Sequence, residues 1–415
     1  MFEDYMHGFI KEICDEIGPR ESGTQEEILA GDRIEEEFKK YCNETHQESY
    51  ISSPTAFLGF IRYGAAAIII AIVFYWLSLL IDIGSLQMEA SYSLFFISMA
   101  AGIAIFCDYY FIFEVMRYTE FLDRFFPKKT SKNVVGTIES TGEVKHTIIF
   151  AGHHDSAYEF NLFYHLKTVG AATIFVGFVG AIIFGIVSVI KLIFYFIPVN
   201  LTQVFFVLGI VALILVPIAV LYMFFHSYKP VPGAFDNLSA VAVTLGIGKY
   251  LVENKSNPDI YPKHTRVHLV SFAGEEAGLR GSKRYVKAHH DELTKSGTIL
   301  VNMDGIGKKD EIIIANTELL IGAKHDKEVC EDLLRIAQDL NIRSEMGTLP
   351  FGASDAAAFT HKKLRAGCIM AYPHKLSLPD YYHTRLDTPE VVEKEALGQV
   401  LQICLEYLKY IDKSE

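Results

Sequence analysis

The sequence predicts an α/β protein that has a mixed sheet with helices on both faces, interrupted by four transmembrane α-helices in two hairpins. Three observations lead to this prediction. Strand and helix patterns alternate through the polar parts of the chain. Four long apolar blocks carry almost no charge. Residue types that bind metals follow directly after several of the predicted strands.

The composition excludes several classes of protein. The 415 residues are 50% hydrophobic and 21% charged, with a net charge of −12, and the mean hydropathy is +0.23. Disordered chains lack so much apolar content. The acidic balance argues against nucleic acid as a partner, because phosphate binding needs a basic face. The six cysteines are scattered without a CxxC pair, which is typical of a reducing compartment. We also expect no signal peptide, since residues 1–50 contain no early apolar run.

The four apolar blocks are predicted to cross a membrane. They are residues 63–81, residues 91–113 with Asp108 as their one charge, residues 168–190 and residues 201–225. Each is close to or above the roughly 20 residues that span a hydrocarbon core. Buried core helices are the alternative, but blocks of this length without charge on any face disfavour them. The predicted order is therefore 1–62, first part of a polar domain; 63–113, hairpin; 114–167, second part; 168–225, hairpin; and 226–415, main part.

The three polar pieces are predicted to lie on the same side of the membrane. An even number of crossings separates them, so they can pack into one domain. Basic residues near the membrane ends cluster on that side, while Lys191 alone is placed in a connecting loop; the clustered residues are Arg62, Arg117, Arg124, Lys128, Lys129, Lys167 and Lys229. Because positive charge favours the cytoplasmic face, we expect an integral membrane protein with a cytoplasmic polar domain.

The polar pieces are predicted to alternate between strands and helices. In chain order these are strand His146–Phe150, helix Asp236–Glu253, strand Arg266–Ala273, helix Ser282–Leu293, strands Thr298–Met303 and Glu311–Ala315, helix Lys327–Leu340, strand Gly367–Tyr372 and a closing helix Pro389–Ile411. Such alternation favours a layered α/β fold. In these sheets, functional sites collect where strands reach their carboxyl ends.

Residues of types that take part in catalysis or metal binding lie at five strand ends or helix starts. They are His153-His154-Asp155 after the first strand, Asp236 at a helix start, Glu275-Glu276 after the second strand, Asp304 after the third, and Tyr382-His383 before the closing helix. Imidazole and carboxylate groups suit zinc and similar cations. A two-metal hydrolytic centre also needs a shared carboxylate, a carboxylate that moves protons and an oxyanion donor. Each motif alone is more often a solvated face or a structural residue, but their joint placement favours such a centre.

These motifs resemble those of the M28 metallopeptidases, which are co-catalytic zinc aminopeptidases and their relatives. The similar runs are Glu16–Gly23, His153–Asp155, Gly233–Ser239, Phe272–Ser282, Asn302–Asp304 and Tyr382–Thr388. The resemblance covers all three polar pieces, excludes the apolar blocks and implies a zinc aminopeptidase-like fold. It also implies two Zn²⁺ ions, or other divalent cations, as cofactors.

The resemblance also implies a role for each site residue. Asp236 bridges both metals, Glu276 and His383 complete one site, and His153 and Asp304 complete the other. Asp155 holds the His153 ring, as ligand histidines require. Glu275 is the general base that carries a proton from water to the leaving amine. Tyr382 resembles the oxyanion donor, with a packing aromatic as the alternative.

Two details of the sequence bear on the resemblance. The family often has Ser-Asp-His near the last ligand, whereas this chain has Ser354-Asp355-Ala356, which puts a contact near the metals or the substrate in doubt. His153 and Asp236 are 83 positions apart, and removing the 58 positions of 168–225 leaves 25. The second hairpin therefore interrupts an otherwise short link between two ligand loops.

We thus expect a membrane-anchored dinuclear zinc peptidase, most simply an aminopeptidase, with a peptide substrate and a lipid bilayer as partners. A carboxypeptidase or another amide hydrolase would use the same metal centre. Arg280 and Arg385 are candidate carboxylate-binding residues for that alternative. A receptor or transporter with a non-hydrolytic, peptidase-like domain is a further alternative, disfavoured because every ligand position and the base are present. The sequence leaves the oligomeric state open.

Overall fold

A computed structural model of the protein describes residues 2–373 and 379–414. Contacts divide the chain into two compact units. The first, called here the α/β unit, comprises Met1–Ala56, Leu122–Glu159 and Tyr228–Glu415. The second, called the helical unit, comprises Phe57–Phe121 and Phe160–Ser227. These apolar segments extend a few residues beyond the predicted hairpins 63–113 and 168–225, and the assignment of the units as peptidase domain and transmembrane hairpins stays a prediction.

Most of the described strands form one mixed sheet. In chain order the strands are β1 Glu44–Ser52, β2 Lys129–Ile138, β3 His146–His153, β4 Tyr158–Phe160, β5 His226–Pro230, β6 Thr265–Phe272, β7 Ile299–Ile306, β8 Ile312–Glu318, β9 Ala323–Lys324, β10 Ser344–Leu349 and β11 Arg365–Ala371. The order across the sheet is β1-β2-β6-β3-β7-β11-β8-β10, with β9 beside β8, while β4 and β5 pair separately.

The centre of the sheet is parallel. Strands β6, β3, β7 and β11 run in the same direction, whereas β1, β2 and β8 are antiparallel to a neighbour. Most residues of the parallel strands are buried, as expected for strands covered on both faces. Their carboxyl ends therefore meet at a single edge.

Helices cover both faces of this sheet. In chain order the helices of the whole described chain are α1 Phe2–Glu16, α2 Gln25–Tyr41, α3 Ala56–Gly59, α4 Ile61–Asp82, α5 Ala90–Tyr110, α6 Asn161–Phe194, α7 Thr202–Ala212, α8 Leu215–Tyr222, α9 Ser239–Glu253, α10 Arg280–Lys295, α11 Lys327–Asp339, α12 Asp355–Thr360 and α13 Lys394–Asp412. One buried cluster joins the sheet to α1, α2, α9, α11 and α13, and a second joins it to α10 and α12. The predicted α/β fold with a mixed sheet and helices on both faces is confirmed.

Two predicted helices begin later than expected. The helix predicted from Asp236 begins at Ser239, because residues 234–238 form an irregular turn that contains the non-helical Asp236. The closing helix begins at Lys394, after a short 3₁₀ turn at Pro389–Val391. In both cases the apolar periodicity of the sequence continues past the point where the backbone leaves the helical conformation.

The helical unit contains the four predicted apolar blocks as helices. Among the described residues, four helical stretches are long and apolar enough to span a membrane, judged by length and composition: Ala56–Asp82, Ala90–Met116, Asn161–Phe194 and Thr202–Tyr222. They share a buried apolar cluster of their own. Large apolar side chains such as Phe95, Phe175 and Val207 remain about half exposed on the outside of this unit.

The placement of Lys191 in a connecting loop is wrong. Lys191 lies within α6, three residues before its end, and is buried. Its Nζ atom is 2.5 Å from Asp82 Oδ2 and 2.7 Å from Ser78 Oγ. The helix continues past the charge because α4 supplies a carboxylate and a hydroxyl for the ammonium group.

Candidate metal centre

Four of the predicted site residues lie at the carboxyl edge of the parallel strands. His153 is the last residue of β3. Glu275 and Glu276 follow β6 after a two-residue link, and Asp304 lies near the end of β7. Because β3 pairs in parallel with both β6 and β7, the three strand ends bring these side chains together.

Asp236 lies between two histidines. Its Oδ1 atom is 3.2 Å from His153 Nε2, and its Oδ2 atom is 3.2 Å from His383 Nε2. His383 Nε2 is also 3.3 Å from Glu276 Oε1. Each oxygen of Asp236 therefore faces a different histidine, which is the arrangement that a shared carboxylate needs in a centre of two ions.

A second group of donor atoms surrounds His153. One ligand atom each from His153, Glu275 and Asp304 lie within 4.8 Å of one another, and the same is true of His153, Asp236 and Glu276. Glu275 is predicted to be a free base, yet its Oε2 atom is 3.6 Å from His153 Nε2, inside the donor group. The predicted residues converge, while the division of roles between Glu275 and Asp304 stays a prediction.

The acidic groups of this cluster are buried close to one another. Less than a tenth of His153, Asp236, Glu275 and His383 is exposed. Burial and neighbouring carboxylates raise the pKa of Glu275 and Asp304 well above their ordinary values, against the opposing effect of His153. Burial alone would lower the pKa of His383, but the adjacent carboxylates raise it to about 10. The cluster thus places four carboxyl groups, those of Asp236, Glu275, Glu276 and Asp304, around two imidazoles.

The residues fit a pair of divalent cations. His153 Nε2 and Glu276 Oε1 are buried and make no hydrogen bond to a described residue. Such atoms are rare in folded proteins unless an ion or a water molecule binds them. Imidazole nitrogen and carboxylate oxygen are ligands that zinc prefers, and added positive charge would relieve the crowding of acids.

A known protein family matches this part of the chain. The profile of peptidase family M28 matches residues 221–408. The matched region includes five of the converging residues, namely Asp236, Glu275, Glu276, Asp304 and His383, while His153 and Asp155 precede it.

Individual relatives agree with the family. Over 171 residues, 40% of this chain and 35% of the relative, the chain is 28% identical to Aminopeptidase YwaD of Bacillus subtilis strain 168. The chain thus spans about a third of the length of this curated relative. Among solved structures, BSAP, a zinc aminopeptidase from Bacillus subtilis, matches with a TM-score of 0.55 and 14% identity, over 100% of this chain and 95% of that chain. A glutaminyl cyclase from Bacteroides thetaiotaomicron matches with a TM-score of 0.55 and 12% identity, over 100% and 98%. These likenesses show a shared, zinc aminopeptidase-like fold.

Asp155 contacts one predicted site residue before the region matched by the M28 profile and two within it. Its Oδ1 atom is 3.4 Å from His153 Nδ1, so it can fix the orientation of the ring. The backbone N–H groups of Glu275 and Glu276 each donate a hydrogen bond of 3.1 Å to this carboxylate, and the Ser22 hydroxyl donates a third of 2.7 Å. Burial would raise the pKa of Asp155, but the His153 contact outweighs it and lowers the pKa. One carboxylate therefore positions three predicted site residues.

Asp387 lies beside the predicted ligand Asp236, and no pattern in the sequence indicates a role for it. Its carboxylate accepts hydrogen bonds from the backbone N–H groups of Phe235, at 2.6 Å, and Asp236, at 3.1 Å. Nearby, Gly233 has a φ of +63°, and a Cβ atom there would lie 2.7 Å from the Ser156 side chain. A left-handed backbone in so little space favours glycine. Together these features fix the backbone that presents Asp236.

Arg20 joins the two loops that carry His153 and Asp236. Its side chain is fully buried, and it donates hydrogen bonds of 2.7–3.0 Å to four backbone carbonyls, those of Gly18, His154, Pro232 and Gly233. These two loops flank the second apolar insertion in the sequence. Arg20 therefore forms hydrogen bonds to the chain both before and after that insertion. In the sequence Arg20 is distinguished only as part of the run Glu16–Gly23, because a buried arginine that binds carbonyls leaves no pattern of its own.

Replacing Arg20 with glutamine should weaken metal binding without removing a ligand. An amide cannot donate to four carbonyls, and each buried carbonyl left without a partner costs about 1–3 kcal/mol. We expect metal affinity to fall about 10–100-fold, as for other residues that orient metal ligands. Competition with a chelator measures the affinity.

Arg33 provides the matched control for this substitution. Its ion pairs are with Glu12 and Glu37, both at 2.6 Å. Arg33→Gln should lower the unfolding temperature and leave metal affinity unchanged. Equal losses of metal affinity in the two variants would show that Arg20 acts only on general stability.

Tyr382 lies against the metal centre. Its ring stacks on the His383 imidazole, with centroids 3.9 Å apart and planes 19° from parallel. Burial and the surrounding carboxylates raise the pKa of its hydroxyl well above the ordinary value. The hydroxyl therefore keeps its proton and can donate a hydrogen bond, while the stacked ring also accounts for packing.

Asp355 is a further acid near the centre, next to the position where alanine replaces the expected histidine. It is fully buried. Burial raises its pKa to about 7, and the charge of His153 opposes this rise. Asp355 thus lies within electrostatic reach of the predicted ligands, and the motif Ser354-Asp355-Ala356 keeps its acid although it lacks the imidazole.

Glu27 should make stability depend on pH. It is buried, and its Oε2 atom accepts hydrogen bonds from Gly23 N–H at 2.6 Å and the Ser131 hydroxyl at 2.9 Å. Burial, with the charge of Asp155, raises its pKa from 4.5 to about 8. Between these values the folded protein keeps a proton that the unfolded chain loses, so the free energy of unfolding should fall as the pH rises from about 4.5 to about 8.

Glu27→Gln tests this assignment, because glutamine stays neutral. Thermal unfolding of the metal-free protein and of the variant should be followed in detergent across this pH range. The stability of the variant should fall less steeply as the pH rises. Parallel curves would contradict the role of Glu27.

Proposed function

We propose that the protein is a membrane-anchored dinuclear zinc metallopeptidase that acts as an aminopeptidase. The observation that carries the proposal is the position of Asp236, whose two oxygens lie 3.2 Å from His153 and from His383. The M28 match supports a peptidase, and the relatives named as aminopeptidases support release of residues from the amino end. The convergence of all the predicted ligands argues against a non-hydrolytic receptor or transporter.

In this proposal two zinc ions would be held by five residues. Asp236 would serve both ions, Glu276 and His383 would complete one site, and His153 and Asp304 would complete the other. When bound, such a pair supplies Lewis-acid polarisation of a carbonyl and lowers the pKa of water. Asp155 and Asp387 hold the ligand loops in place through the backbone hydrogen bonds described above.

Glu275 moves the proton in the proposed reaction. Its Oε2 atom, 3.6 Å from His153 Nε2, lies close enough to the donor cluster to accept a proton from the attacking water and return it to the leaving amine. Tyr382 keeps its proton and donates a hydrogen bond to the carbonyl oxygen as negative charge develops there. The peptide bond breaks when the amine leaves with the proton from Glu275.

The arginines that would favour a carboxypeptidase already have acidic partners. Arg385 Nε and Nη2 are 2.6 and 2.8 Å from the two carboxylate oxygens of Glu159. Arg280 pairs with Asp123. Because these pairs occupy the guanidinium groups with internal carboxylates, they disfavour capture of a substrate's carboxyl terminus, and this supports an aminopeptidase.

The proposed anchor consists of the four apolar helices, with the α/β unit on the cytoplasmic side. Their length and their exposed apolar side chains support insertion. Lys191 is paired with Asp82 within the helices, so it does not count as a free positive charge on the opposite side. This strengthens the excess of positive charge on the side of the α/β unit. Labelling of single cysteines in sealed vesicles tests the orientation, and labelling of the α/β unit from outside intact cells would contradict it.

The activity is tested with protein purified in detergent. Aminoacyl amides, peptides blocked at the amino end and peptides blocked at the carboxyl end are incubated with and without a chelator. We expect cleavage of free amino ends, loss with chelator and recovery when zinc is restored. Cleavage of amino-blocked peptides alone would indicate a carboxypeptidase. Cyclisation of amino-terminal glutamine without hydrolysis would indicate an activity like that of the glutaminyl cyclases. Turnover that resists chelation would contradict a metal centre.

A further inference from the structure

An open, apolar cleft lies within the helical unit. It is lined by side chains from α4, α5, α6 and α8, including Ile68, Ala181, Leu215 and Ile218. All of its lining belongs to the four helices proposed to cross the membrane, so the cleft would open among lipid chains.

Asp108 is the one charged residue among the described residues that line this cleft. It lies at the end of α5, and a Cβ atom built on Gly185 would overlap its Oδ2 atom. The glycine therefore lets α6 pass directly beside the carboxylate. No hydrogen bond or ion pair to the Asp108 side chain is present within residues 2–373 and 379–414.

Asp82, another acid of the same unit, has partners within the chain. Asp82 is paired with Lys191 at 2.5 Å and accepts a hydrogen bond of 2.5 Å from Ser93. Acidic side chains among apolar helices are costly without a partner. The helices supply a cation and a hydroxyl for Asp82 but neither for Asp108. A partner for the Asp108 carboxylate would therefore come from outside the chain.

We propose that this cleft binds a single-chain lipid that carries a primary amine. The apolar chain would pack against the lining side chains, and the ammonium group would pair with the Asp108 carboxylate. An ammonium group is the fitting partner because charge-assisted hydrogen bonds are the strong ones, and an amphiphile suits a cleft with one acid on an otherwise apolar wall. This proposal rests on the proposed membrane insertion and not on the peptidase activity.

The test uses the full chain in detergent and two photoactivatable probes of equal length, a long-chain alkyl amine and the corresponding alcohol. We expect the amine to bind about tenfold more tightly than the alcohol, a difference of about 1.4 kcal/mol, and to label peptides from α5, α6 and α8. Asp108→Asn should reduce this preference to near equality while the alcohol still binds. Glu89→Gln is the matched control, since Glu89 is an exposed acid at the opposite end of α5.

A second variant guards against misfolding. Ala181→Leu fills the cleft without touching the acid, and it should weaken both probes alike. Equal binding of amine and alcohol to the unaltered protein would overturn the proposal, as would equal losses in the Asp108 and Glu89 variants. Release of the protein from membranes by salt alone would overturn both this proposal and the proposed anchor, whereas failure of the amine preference with the protein still embedded would overturn this proposal alone.

Discussion

Replacing Glu275 with glutamine should lower the turnover number about 10²–10⁴-fold, the usual contribution of a general acid–base group, while metal remains bound. Glutamine keeps the size of the side chain and loses the ability to accept a proton. Glu275 Oε2 lies 3.6 Å from His153 Nε2, close enough to the donor cluster to serve the attacking water. Turnover of aminoacyl amides and the metal content per chain are measured on the same preparation.

The adjacent Glu276 gives the sharpest control. Its Oε1 atom is 3.3 Å from His383 Nε2, and the proposal makes it a ligand. Glu276→Gln should therefore lose both activity and metal, whereas Glu275→Gln should lose activity alone. Loss of metal in the Glu275 variant would show that Glu275 is a ligand. Unchanged turnover would show that Glu275 does not take part in the reaction.

Replacing Asp236 with asparagine should deplete both metal sites together. The carboxylate presents one oxygen to His153 and the other to His383, but an amide presents one oxygen and one NH₂ group. The NH₂ group cannot bind a cation, and the negative charge between the sites is lost. We expect metal content to fall from two ions per chain toward none and turnover to fall to the background rate.

Asp339 offers a control for this substitution. It is an exposed residue at the end of α11, 3.7 Å from Arg335. Asp339→Asn should retain two metals and full turnover. If Asp236→Asn instead kept one ion with normal affinity, Asp236 would belong to a single site and would not be shared.

The parts of the fold that were predictable are those built on continuous apolar runs. Strands β3, β7 and β11 each contain a short apolar run, and about half of β6 is apolar, because both faces of a parallel strand are buried. The residues just beyond their carboxyl ends could therefore be placed together from the sequence alone. Strand β1 was not predicted, since it lies at the sheet edge and most side chains in the run Glu44–Ser52 are polar.

The ligand types were predictable, as was Asp155 beside His153, but the groups that hold the backbone of the ligand loops were not. His153, Asp236 and His383 belong to residue types and motifs that indicate metal chemistry. Arg20 and Asp387 act through backbone carbonyls and N–H groups, which every residue has and which leave no trace in a sequence pattern. Lys191 was misplaced for a similar reason, because its partner Asp82 is distant along the chain.

The central claim is that two cations lie side by side on Asp236. Crystals of the purified protein should be measured on both sides of the zinc absorption edge, with metal content determined on the same sample. The account predicts two anomalous peaks about 3.5–4 Å apart, one beside His153 and one beside His383, and two zinc ions per chain. A single peak, or peaks that do not share Asp236, would contradict it.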